Sequence, residues 1–194
     1  MHRLFVAIRP PRAVRELLLG TMGGVPGARW QDDEQLHLTL RFIGEVDRHR
    51  AEDMAAALGA VRAAAFTLSL AGVGRFERRG RTDTLWVGVT PRDGVAALAR
   101  KVSEVVTRVG LHPETRAFLP HVTMARMARS APGPVEPWLE HHAGLASASW
   151  TVDAFCLFES RLGHDGARYE AVARYPLARS SASAAAPSDT SRQV

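Results

Sequence analysis

The stretch LHLTLRFIG, Leu36 to Gly44, alternates large apolar residues with a histidine and a threonine. Such alternation marks a strand with one packed face and one open face. Leu38 and Leu40 belong to the packed face, so His37 and Thr39 share the open one. The pattern returns 84 residues later in PHVTMAR, Pro120 to Arg126. There Val122 and Met124 take the packed side, and His121 and Thr123 the other. With 8 histidines in 194 residues, an HxTx stretch with both x positions apolar is expected roughly 0.1 times by chance. Two copies therefore constrain the fold. If the two strands lie side by side, two imidazoles and two hydroxyls converge on one cleft.

The surrounding sequence predicts how such strands are carried. RLFVAI (3–8), LHLTLRFIG (36–44), FTLSLAGV (66–73), TLWVGV (84–89), 119–127, 150–160 and 168–177 read as strands. Residues 11–20, 48–64 and 93–109 read as helices, with Val95, Leu98, Val102, Val105 and Val106 on one face of the last. A short helix is expected near Trp138, and a loop over 23–27. The Gly-His-Asp-Gly turn after Ser160 makes the last two strands a hairpin. Strands interleaved with helices and at least one hairpin predict an α+β fold. A strand–helix–strand pattern around each motif suggests two similar lobes. After Leu177 the chain lacks large apolar residues, so 1–177 is expected to be a single bilobal domain and 178–194 a disordered tail.

Charge and composition narrow the chemistry. The net charge is +5, and Lys101 is the only lysine, so the positive charge is almost all arginine. Arginine suits bidentate phosphate contacts and permits a nucleic-acid partner without demanding one. No apolar run reaches the length of a membrane span, and the N-terminus reads as a first strand. A single cysteine, Cys156, excludes an intramolecular disulfide and suits a reducing cytoplasm. Its place in a strand predicts a small buried apolar residue. His2, His49, His112 and His164 read as surface residues, and the His141-His142 pair lacks the flanking ligands of a metal site.

Paired histidines can work on opposite sides of a reacting centre, one taking a proton and one giving it. Threonine hydroxyls can donate to phosphate oxygens. The sequence has no Walker loop, no serine–histidine–acid pattern and no plausible cysteine nucleophile. A phosphodiester cleaved without metal or cofactor fits this inventory.

The opening RLFVAI, Trp30 with LHLTLRFIGEV, the phrase FLPHVTMAR and the ending LFESRLGHDGARYEAVARYPL occur in that order. In these the chain resembles the two-histidine phosphoesterase superfamily, and within it the LigT-like RNA 2′,3′-cyclic phosphodiesterases (ThpR). The resemblance implies two pseudo-symmetric lobes, each a mainly antiparallel sheet with helices outside and motif strands lining a central cleft. It implies hydrolysis of an RNA 2′,3′-cyclic phosphate end to a 2′-phosphomonoester, with 2′–5′ RNA ligation as a side activity. His37 is then the proton donor, His121 the proton acceptor, and Thr39 and Thr123 the phosphate ligands. Arg126 would contact phosphate and Phe42 would stack on a base. Residue identity alone does not assign which histidine gives the proton.

Both Phe42 and Arg126 lie five residues beyond their histidine, a spacing that faces away from the cleft in a regular strand. A bulge would have to re-aim them. Arg41 has the parity to face the cleft. The expected partner is an RNA end, with no membrane and a monomeric, cytoplasmic chain. Two alternatives remain: the same chemistry on a small cyclic nucleotide phosphate or a 2′–5′ oligonucleotide, and a non-catalytic RNA-end binding module.

Overall fold

The motifs lie in the middle of one large antiparallel sheet. The computed structural model describes residues 1–128, 133–163 and 166–179. His164 and the tail from 180 onward lie outside the described residues. The elements run β1 (His2–Ile8), α1 (Arg12–Leu19), β2 (Ala28–Trp30), a 3-10 turn (Asp33–Gln35), β3 (Leu38–Val46), α2 (Arg48–Leu58), β4 (Phe66–Arg78) and β5 (Arg81–Thr90). Then follow α3 (Asp93–Arg108), β6 (His121–Met127), α4 (Glu136–His141), β7 (Trp150–Val152), β8 (Ala154–Gly163) and β9 (Gly166–Pro176).

The strand order is β7-β4-β5-β6-β3-β1-β8-β9, with β2 attached to β6. The motif strands β3 and β6 are central, with three further strands on either side of them along this order. The two sides are not the two halves of the chain. The chain builds β1 and β3, crosses to the other side for β4 to β7, and returns with β8 and β9. The single strand read over 150–160 is in fact two. β7 pairs with β4 on one side, and β8 pairs with β1 and β9 on the other. The break falls at the exposed Asp153, whose carbonyl accepts from Leu177 N–H at 2.7 Å.

Local chemistry explains most element ends. Asp47 caps α2 by accepting from Arg50 N–H at 2.8 Å. That helix stops at Gly59, well short of the sequence reading, and 63–65 leave it to bond Ala178. The β4–β5 hairpin turns at Arg79-Gly80, both at positive φ, as a two-residue loop of this hand requires. Against the sheet, α3 buries Val95, Leu98, Ala99, Val102 and Val106, leaving Val105 half-buried. Leu38, Leu40, Val122 and Met124 all sit in the main core, where the alternation put them.

Candidate active site

β3 and β6 meet at one pair, Leu38 opposite Val122. Antiparallel continuation of that pair sets His37 across from Thr123 and Thr39 across from His121. The two motifs are therefore related by a local twofold. Their packing agrees residue by residue. Both 37–43 and 121–127 run half-buried, buried, half-buried, buried, buried, exposed, buried.

Two adjacent buried residues inside an alternating strand signal an extra residue. Along β3, Ala7 pairs with Thr39 but Val6 pairs with Arg41, so Leu40 is a bulge. Along β6, Trp86 pairs with Thr123 but Leu85 pairs with Ala125, so Met124 is a bulge at the equivalent place. Each bulge flips the parity of the residues beyond it. Phe42 then shares the face of Thr39, and Arg126 that of Thr123. Phe42 is 60% exposed beside the cleft.

The same bulge takes Arg41 off the face of Thr39 that simple alternation assigned to it, although it still borders the cavity beside the site. Its partner Val6 belongs to the core, and Arg41 is only 6% exposed. Its guanidinium donates to the His112 carbonyl and pairs with Glu114 at 3.1 Å, tying β3 to the segment that leads into β6.

Each histidine is held by the same device. His37 Nδ1 lies 2.6 Å from the Gln35 carbonyl, and His121 Nδ1 lies 2.7 Å from the Leu119 carbonyl. A carbonyl only accepts, so Nδ1 carries the hydrogen in both rings. Nε2 is left as the nitrogen that can exchange a proton with a substrate. Aromatic side chains hold the rings in place. Tyr169 meets His37 edge-on at 5.1 Å, and Phe5 packs at 4.8 Å. Phe76 meets His121 edge-on at 4.8 Å, with Trp86 at 6.1 Å. The Trp86 indole lies over Gly74, where a Cβ would come within 2.2 Å of the ring. A larger residue there would displace the wall of the site.

These surroundings favour neutral imidazoles. Burial pushes His37 down to about 4, against a pull upward from the Gln35 carbonyl; the charges of His121 and Arg126 lower it further. His121 is lowered chiefly by burial as well, again opposed by its carbonyl and assisted by Arg126. Arg126 thus acts electrostatically on both rings. Among the described residues no cluster of three or more histidine, cysteine or acidic side chains could hold a metal ion. A cavity of about 990 Å³ opens beside the site, with Thr39, Phe42, Phe76, Phe118 and His121 among its walls.

The structure brings His37, Thr39, Phe42, His121, Thr123 and Arg126 to one face. The aromatic walls were missed in the sequence because Tyr169, Phe76 and Trp86 reach the site from distant strands. Cys156 is only half-buried, beside Ala7 and Arg174, because it faces the smaller cluster of Phe5, Ala7 and Phe158. His2 is half-buried, with Nδ1 2.8 Å from a Glu159 carboxylate oxygen.

Two histidines on paired central strands, each oriented through Nδ1 and each with a threonine two residues further on, form one local twofold arrangement in which both Nε2 atoms are left to exchange protons. The chain belongs to the 2′-5′ RNA ligase superfamily, whose family model matches residues 11–164. It is 36% identical over 152 residues to the RNA 2′,3′-cyclic phosphodiesterase of Aeropyrum pernix, covering 77% of this chain and 85% of that one. It is 30% identical over 183 residues to the enzyme of the same name from Escherichia coli, covering 91% and 97%. The fold matches the crystal structure of Escherichia coli LigT complexed with 3′-AMP at a TM-score of 0.73, with 28% identity over 91% of this chain and 98% of that one.

Proposed function

We propose that the chain opens RNA 2′,3′-cyclic phosphate ends to 2′-phosphomonoesters by a paired-histidine mechanism that needs no metal. It is a hydrolase, an RNA 2′,3′-cyclic phosphodiesterase of the LigT-like group. The observation that carries this reading is the twofold meeting of two carbonyl-anchored imidazoles and two threonines about the Leu38–Val122 pair. Kinship with enzymes of that name over most of the chain supports it.

The cyclic phosphate sits between the rings, its non-bridging oxygens taking hydrogen bonds from Thr39 and Thr123. Water attacks phosphorus opposite O3′. His121 Nε2 takes the proton from that water as the P–O bond forms. The P–O3′ bond breaks, and His37 Nε2 gives its proton to O3′. The product keeps phosphate on O2′. In the free enzyme burial keeps His37 neutral near pH 7. The bound phosphodiester carries the negative charge that draws a proton onto it, since a nearby opposite charge favours the charged form. With a 5′-hydroxyl in place of water, the same base and acid form P–O5′ and break P–O3′, leaving a 2′–5′ linkage, which accounts for ligation as a side activity.

A second assignment, with His121 as donor and His37 as acceptor, is favoured by one observation. His37 is the ring that burial holds lower, and so the weaker holder of a proton. A substrate with sulfur in place of O3′ separates the two, because a thiolate leaves without a proton. The histidine whose alanine variant regains turnover on that substrate is the donor.

The two sides of the sheet act as pseudo-symmetric lobes around the cleft, supported by the matched bulges and burial of β3 and β6. Residues 1–177 are the catalytic unit, acting as a cytoplasmic monomer. No helix among the described residues is long and apolar enough to cross a membrane. The test is an EDTA-treated assay on a short RNA ending in 2′,3′-cyclic phosphate. Wild type is expected to yield 2′-phosphate, with His37→Ala and His121→Ala yielding neither product. A strict need for added divalent cation would sink the mechanism, and binding without turnover would favour an RNA-end binding module.

A further inference from the structure

We propose that Arg41 is a positioning residue for His121: its buried guanidinium fixes the course of residues 112–119, and through them the Leu119 carbonyl that aims the His121 ring. This rests on the paired-histidine reading above and deepens it. β3 and β6 share one ladder pair, Leu38 with Val122. Beyond it a cavity of about 990 Å³ opens, bordered by Leu40 and Arg41 of β3 and by Glu114, Phe118 and Leu119 of the segment that leads to His121. That segment has neither helix nor strand, and 112–118 are all exposed. Packing therefore does little to hold it. Among the described residues, the only hydrogen bond from another element to 112–118 is the one that Arg41 donates to the His112 carbonyl. Glu114 completes the clasp. One of its carboxylate oxygens accepts from the Thr115 and Arg116 N–H groups, at 3.1 and 3.2 Å, and the other lies 3.1 Å from Arg41 Nη1.

The residue type at 41 points the same way. Its strand partner is the core residue Val6, and Arg41 is itself almost fully buried. Its Nε is buried without a hydrogen-bond partner. Burying a guanidinium costs free energy that a leucine or methionine would not, so the charge is a poor choice for stability alone. What it adds is direction, because a planar fork can hold two points of a chain segment at once. The hold reaches the ring along a stiff path. Pro113 and Pro120 each fix a backbone dihedral of the segment, and a residue before proline is confined to extended backbone. Leu119 precedes Pro120, so its carbonyl points where the incoming chain directs it. His121 Nδ1 lies 2.7 Å from that carbonyl. His37 has no need of such a strut, because its carbonyl sits in a turn closed by its own capping box.

The experiment compares wild type with Arg41→Met, which keeps an apolar stem in the core, and with Arg41→Lys, on adenosine 2′,3′-cyclic phosphate. Arg41→Met should lower kcat about tenfold with KM changed less than about twofold, since a displaced imidazole slows chemistry more than binding. Arg41→Lys should recover part of the loss, with one ammonium in place of the fork. The melting temperature of Arg41→Met should stay close to that of wild type, because the Glu114 it leaves behind is exposed rather than buried. Double variants separate positioning from general damage. In a His121→Ala background Arg41→Met should cost nothing further, whereas in a Gln35→Ala background the two losses should multiply. An unchanged kcat, a rise in KM alone, or the same further loss in both backgrounds would overturn the strut. A wild type that does not open the substrate would overturn the paired-histidine reading instead. NMR of the histidine ring nitrogens then reads the strut alone. Loss of the hydrogen-bonded Nδ1 proton of His121 in Arg41→Met, with that of His37 kept, supports it. A signal kept at His121, or lost at both rings, removes it.

Discussion

The His37 and His121 segments are built alike for seven residues and differ in what surrounds them. Both hook Nδ1 to the carbonyl two residues back, and both bulge three residues after the histidine. At the position the bulge re-aims, one carries Phe42 and the other Arg126. The supports differ too. The Gln35 carbonyl that holds His37 belongs to a 3-10 turn closed by a capping box with Asp32. The Gln35 side chain also donates to the Ala167 carbonyl at 2.8 Å. Ion pairs from Arg9 and Arg15 fasten the same turn through Asp33 and Glu34. Leu119, which holds His121, lies in a segment without helix or strand, braced from β3 by Arg41. The reacting groups repeat, while the scaffold and substrate-reading groups have diverged. In the proposed mechanism symmetry is retained where the chemistry is symmetric, on the two sides of one phosphorus atom.

The strongest way to break the comparison is at the histidines. His37→Ala and His121→Ala should each lower kcat by about 10²–10⁴-fold, with far-ultraviolet circular dichroism unchanged. A loss confined to one of them would end the paired reading. Next comes stability against pH. His37 in the folded chain resists protonation until about 4, whereas the unfolded chain protonates near 6.5. The contribution is thus fully present above about 6.5 and lost as pH falls toward 4, on the order of 3 kcal/mol. Urea unfolding from pH 7 to 4 should show this slope in wild type, less of it in His121→Asn, and least in His37→Asn. Equal slopes in the two variants would mean that the rings are equally desolvated.

Thr39→Ala and Thr123→Ala should each lower kcat/KM about tenfold or somewhat more, the worth of a hydrogen bond to a charged oxygen. Unequal losses would show that the phosphate leans toward one strand. The smallest effect belongs to the support. Gln35→Ala should lower kcat about threefold with KM little changed, since a slightly misplaced acid slows chemistry more than binding. A matching loss in Leu119→Ala would show that the turn around Gln35 adds nothing.

Much of this was legible in the chain because it depends on alternation. Leu38, Leu40, Val122 and Met124 are core residues wherever a strand carries HxT outward. The apolar stripe of α3 is likewise a local pattern. The bulges were not legible, because neither Leu40 nor Met124 is a residue type that announces one. Parity therefore misplaced Arg41 and argued against Phe42 and Arg126. The crossover at Asp153 was hidden because two strands run on with a single residue between them. β2 was hidden because three residues are too few to show a period.

The carbonyl hooks also govern how the catalyst resets. With Nδ1 of each ring committed to a backbone oxygen, protons enter and leave only through Nε2. One turnover leaves the donor bare and the acceptor loaded, the mirror image of the starting state. Along a twofold cleft, that mirror image is the form set for the reverse reaction. In this reading the enzyme carries a one-turnover memory of direction, erased by proton exchange with solvent after the product leaves. A kcat that rises with buffer concentration at fixed pH would register that step.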